Sequence, residues 1–108
     1  MMRIESIEKL EKMIKKVEQY QKELILKFPE YETDMERRGF IDYCQFIKST
    51  WLAKIEQYKN MSDEGFYDLY LNSVDATLKS IEIHFKTLMN SKNTKFTPRD
   101  PNKNIPIR

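Results

Sequence analysis

Two glycines in 108 residues are too few to build a phosphate-cradling glycine loop, and no G-x-S-x-G elbow is present. One cysteine closes no internal disulfide and suits a reducing compartment. One cysteine and one histidine fall short of a tetrahedral zinc site unless carboxylates complete it, and no C-x-x-C, H-x-x-x-H or Glu-x-x-His spacing is present. No apolar run approaches the ~18 residues that would span a bilayer. Charges interrupt the first segment every two or three positions, so it holds no continuous signal core. These scarcities lead us to expect a soluble, cytoplasmic protein that is not an enzyme and carries no metal or cofactor.

What is abundant is charge, unevenly spread. Lysine and arginine number 19 against 17 aspartates and glutamates. Residues 91–108 hold five of the bases (Lys92, Lys95, Arg99, Lys103, Arg108) and one acid, Asp100, which leaves 14 bases and 16 acids before them. A mildly acidic body therefore precedes a basic tail. Many lysines and isoleucines beside only two alanines and two glycines match AT-rich codons, which points to a low-GC bacterium, its phage or its plasmid.

Three segments carry helical periodicity. Ile7, Leu10, Ile14, Val17, Gln21, Leu24 and Phe28 recur at spacings of 3 and 4, a heptad seam with Gln21 its one polar position. The opposite face pairs Glu5 with Lys9, Glu8 with Lys12, Glu11 with Lys15, Glu18 with Lys22 and Glu23 with Lys27, each pair worth ~0.2–0.5 kcal/mol in the favourable orientation. Pro29 ends this helix, expected over 4–28. Thr33 and Glu36 have capping-box spacing, which starts a second helix over 33–61, with Gly39 a soft point near its beginning. Its stripe is Phe40, Tyr43, Cys44, Ile47, Trp51, Ile55 and Tyr58, with Ile41 and Leu52 to one side and Phe46 and Ala53 to the other. Ser62, followed by Asp63 and Glu64, reads as the cap of a third helix over 63–89. Tyr67, Tyr70, Leu71, Val74, Leu78, Ile81, Phe85 and Leu88 form its stripe, with Asp68, Asp75, Lys79, Glu82 and Lys86 facing water. After Met89 the pattern stops, and the proline- and asparagine-containing remainder reads as an extended, flexible tail.

The fold class expected is all-α: an elongated antiparallel three-helix bundle, up-down-up with coiled-coil-like packing, over 1–90, followed by the basic tail over 91–108. Helices of roughly 25 residues would be ~37 Å long and enclose one narrow seam. In that topology the third helix ends beside the first connection, where Glu30, Glu32, Asp34 and Glu36 gather, and the tail could fold back there.

Chemistry is sparse. Cys44 paired with His84 would be the one nucleophile–base combination, but a thiol in the middle of an apolar stripe is a small hydrophobe with a raised pKa. Carboxylates are plentiful, yet nearly all fall on the wet faces of helices. Trp51 belongs with the core. The interaction residues read from the pattern are Gln21, a polar position that can fix register, and Ile41, Phe46 and Leu52, which widen the apolar stripe of the second helix beyond one face. Tail contacts would come from Lys92, Lys95, Phe96, Arg99, Lys103 and Arg108, the cations on phosphates and Phe96 on a base.

The function expected is a small protein–protein interaction module, an inhibitor or regulatory or anti-defence accessory, with a homodimer as one assembly. A nucleic-acid-binding accessory working through the tail is the alternative. About 100 residues of antiparallel helices followed by a flexible tail also resemble the plan of bacteriocin immunity proteins. That likeness is architectural, and it implies a helical protein that neutralises a toxin by contact.

Overall fold

A computed structural model describes residues 2–67 and 70–90. The basic tail, with all its expected contact residues, lies outside the described residues. Three helices are present: α1 (Arg3–Lys27), α2 (Met35–Lys59) and α3 (Leu71–Asn90), with a single 3-10 turn at Tyr31–Thr33 and no strand among the described residues. The helices pack against each other as the expected up-down-up bundle. Arg3 at the start of α1 reaches the Tyr58 carbonyl at the end of α2, while Lys27 at the end of α1 donates to the Met89 carbonyl at the end of α3. α1 has its larger contact with α2 and a smaller one with α3, and α2 and α3 touch least. α1 is therefore the central helix.

The core follows the stripes. Leu10, Val17 and Leu24 of α1, Phe40, Cys44, Trp51 and Ile55 of α2, and Val74, Ile81 and Leu88 of α3 are buried in one apolar cluster. Tyr20 stacks on Phe85 with ring centroids 4.6 Å apart, locking α1 to α3. Ion pairs bridge the helices at the rim: Lys9 to Asp75 at 3.2 Å, Lys16 to Glu82 at 3.8 Å and Lys48 to Glu18 at 3.8 Å. Exposed pairs of this kind contribute about 0–1 kcal/mol each, so they select alignment more than they stabilise. Asp75 and Glu82, expected to face water, also reach α1, with Asp75 still exposed and Glu82 partly covered.

Three local readings need correction. The cap of α2 is Asp34 and not Thr33: the Asp34 carboxylate accepts from the backbone N–H of Glu36 at 3.1 Å and of Arg37 at 3.4 Å. Thr33 is used one turn earlier, its hydroxyl donating to the Glu30 carbonyl at 2.8 Å to close the 3-10 turn after Pro29. α3 starts at Leu71 and not at 63. The Ser62 hydroxyl donates to the Glu64 carbonyl, Phe66 N–H bonds back to the Asp63 carbonyl, and Gly65 sits at φ 72, so these residues build a turn that cannot continue as helix. Asp63 meanwhile gives its carboxylate to Arg3 at 2.8 Å. Tyr67 and Tyr43, placed on the stripes by spacing, are both exposed. Tyr67 precedes the true helix. Tyr43 lies on the α3 side of the α2 stripe, where α2 and α3 are too loosely joined to cover it.

Candidate interaction surface

The thiol of Cys44 is fully buried, and desolvation pushes its pKa up to about 12 despite the nearby Lys48 ammonium. It is a protonated core thiol. His84 lies exposed on α3, with its ring edge-on to Phe40 at 5.2 Å. Tyr20 is likewise pushed up to about 12, first by burial and then by the Glu82 carboxylate that accepts its hydroxyl at 2.6 Å. Among the described residues no group of three or more His, Cys, Asp or Glu side chains is placed to hold a metal ion, and no helix is long and apolar enough to cross a membrane.

A buried polar feature that pattern reading missed is Arg37. Its guanidinium pairs with the Asp34 carboxylate, donates to the Leu88 carbonyl at the end of α3, and lies 3.5 Å over the Phe28 ring. One side chain thus ties together the end of α1, the start of α2 and the end of α3. A signal for it exists: Arg37 lies three residues before Phe40 and three after Asp34, so it continues the α2 stripe and has an acid at ion-pair spacing.

What remains accessible is apolar surface on two sides of α2. The first is a shallow groove against α1. Gln21 forms part of its floor, its side-chain amide donating to the Ile41 carbonyl at 3.1 Å. Ile25, Leu26 and Ile41 supply apolar walls, and Glu18 with Lys48 forms the rim. Leu26 is 75% exposed. Leu52, at 54% exposed, continues the same side beside Ile14 and Lys15. Of the four expected interaction residues, Gln21, Ile41 and Leu52 therefore lie along one groove, although Gln21 and Ile41 are themselves largely covered.

The fourth, Phe46, points elsewhere and is 64% exposed. At about 100° per residue, Met35, Gly39, Phe46, Thr50, Ala53 and Gln57 fall within ~60° of arc. None of the six carries a charge, but exposed Asp42, one turn before Phe46, lies ~20° outside that arc and is as near to Phe46 in angle as Thr50. Ile41 and Lys48 mark the side of α2 turned to α1, so this face points away from α1. α3 continues it: Ser73, Ala76, Ser80, Ile83 and Thr87 recur at spacings of 3 and 4, are exposed and are uncharged. Asp75 and Glu82 reach α1, so the uncharged face of α3, apart from Ala76 beside Lys16, also points away from α1. Only four Asp, Glu, Lys or Arg residues occur in the 20 residues of α3, against twelve in the 25 of α1. The molecule thus has a densely charged α1 side and a sparsely charged α2/α3 side that carries Asp42. No protein-family model, no curated protein and no solved structure matches this chain.

Proposed function

We propose that the chain is a non-enzymatic protein–protein interaction module, an inhibitor or regulatory accessory of a low-GC bacterium or one of its mobile elements. It works by holding a segment of a protein partner in the α1/α2 groove. The observation that supports this reading is the groove itself, where Leu26 and Leu52 remain exposed on either side of the Gln21–Ile41 bond. The test is affinity capture from the host with the full chain and with Leu26→Glu/Leu52→Glu. Circular dichroism first confirms that both fold. A protein retained by the unaltered chain and lost by the variant supports the groove; equal retention, or no protein retained by either, overturns it. Self-association as a homodimer belongs to the same reading.

The five cations of residues 91–108 favour one second reading, contact of the tail with nucleic acid. A gel shift at two salt concentrations decides it. Binding that weakens steeply with salt and disappears when 91–108 are deleted supports the second reading; no binding rejects it. An immunity-type role would show as protection of sensitive cells from a toxin.

A further inference from the structure

Apart from Asp42 and Thr50, one turn either side of the centre, the outer face of α2 is symmetric about Phe46. Gly39 and Ala53 each lie seven residues from it, and Met35 and Gln57 each lie eleven from it. Read along the helix, the face runs long, small, aromatic, small, long. Its flanks carry charge in the same symmetric manner. On one flank Arg38 precedes Phe46 by eight residues and Glu56 follows it by ten; on the other Glu36 precedes it by ten and Lys54 follows it by eight. Neither Glu36 nor Arg38 forms an ion pair among the described residues. Glu56 reaches Lys59 only at 4.0 Å, and Lys54 lies over the Tyr70 ring.

We propose that two copies of this chain pair through this face, α2 against α2 and antiparallel, with the two Phe46 rings meeting at a twofold axis. This rests on the self-association proposed above and names its surface. In that arrangement Gly39 of one copy faces Ala53 of the other, so the backbones can approach closely around the aromatic centre. The space where a side chain of Gly39 would begin is open, with nothing within 4 Å. Arg38 comes opposite Glu56 of the second copy, and Glu36 opposite its Lys54. Each match is two residues from perfect register, ~3 Å along the axis and within the reach of these side chains. Each pair forms twice, as a twofold interface requires. Opposed helix dipoles favour the antiparallel arrangement over the parallel one.

In this pairing the adjoining face of α3, centred on Ser80 and Ile83, would extend the contact by meeting its own copy across the axis. Two helices side by side offer a face ~20 Å wide and ~30 Å long, so the pair would bury on the order of 1,200 Å² in total, the lower end of what a stable complex needs. Charge is sparse at the centre, where Asp42 comes opposite Ser49 of the second copy, and concentrates at the flanks, the distribution such interfaces show.

Sedimentation equilibrium of the full chain at tens of micromolar, with circular dichroism to confirm helicity, tests the inference. The unaltered chain is expected to be a dimer, and Phe46→Glu to weaken it about 100-fold by placing two carboxylates against each other at the axis. Arg38→Glu alone and Glu56→Arg alone are each expected to weaken the dimer about tenfold, and the two together to restore it to within about threefold. A monomeric unaltered chain overturns both this inference and the self-association reading. A dimer that survives Phe46→Glu unchanged overturns this face while leaving self-association standing. A dimer lost with Phe46→Glu but not recovered by the charge exchange overturns the antiparallel register.

Discussion

Arg37 is the side chain with the largest structural consequence. It is buried together with the Asp34 carboxylate, so removing it strands an acid in the interior. Breaking one partner of a buried pair costs about 3–5 kcal/mol. Arg37→Met is therefore expected to lower the urea midpoint sharply, and Asp34→Asn/Arg37→Met to cost less than the sum of the two single changes. Cys44 gives a gentler test. Its thiol is buried and held protonated, so a disulfide reagent should leave the native chain unmodified and react once denaturant is added. Cys44 is on the α2 stripe as the spacing gives it, and Arg37 lies three residues before the first position of that stripe, Phe40. Only Cys44 can be read correctly from its position, because a charged residue on a stripe is informative only when its acid partner is recognised, and in the sequence Asp34 reads as one of four acids gathered in the first connection.

At the scale of the helix, periodicity carried most of the fold, and the helix ends carried what it missed. α1 was readable to within a residue or so because its seam, its Glu–Lys pairs and Pro29 agree. The beginning of α3 was not, since Ser62 with two following acids fits a turn as well as a cap, and Gly65 at φ 72 decides between them through a backbone angle that no side-chain pattern reveals. The two glycines should consequently respond in opposite ways. Gly39 lies within α2 with open space about it, so Gly39→Ala is expected to stabilise the monomer by about 0.5–1 kcal/mol, read from the thermal midpoint of a Phe46→Glu background. Gly65→Ala places a side chain in a left-handed conformation and should destabilise by about 1 kcal/mol. The candidate groove was half legible in the same sense. Excess apolar width on α2 announced that surface was left over, but which flank met α1 depended on how the helices rotate against each other.

For the whole molecule, Cys44 and Tyr20 predict the shape of the alkaline limb. Both are neutral acids whose folded pKa is raised, Cys44 from 9.0 and Tyr20 from 10.0, each to about 12. The folded chain holds these protons longer than the unfolded chain does. The stability they contribute is complete below about pH 9 and is lost as pH rises towards 12, with a slope of up to ~1.4 kcal/mol per pH unit for each group. Urea midpoints should be level through neutrality and fall above pH 9, and Tyr20→Phe should make that fall shallower even though it removes the bond to Glu82. The central place of α1 has a further consequence. α1 and α2 are joined by a short connection and share the broadest contact, so they can close as a hairpin before the remainder is in place. α3 is fastened mostly to residues some sixty positions earlier in the chain, through Tyr20, Lys9 and Lys16. It is the strut that can come away alone: in native-state hydrogen exchange its amides should open first, as one unit, while those of α1 wait for the whole assembly to melt.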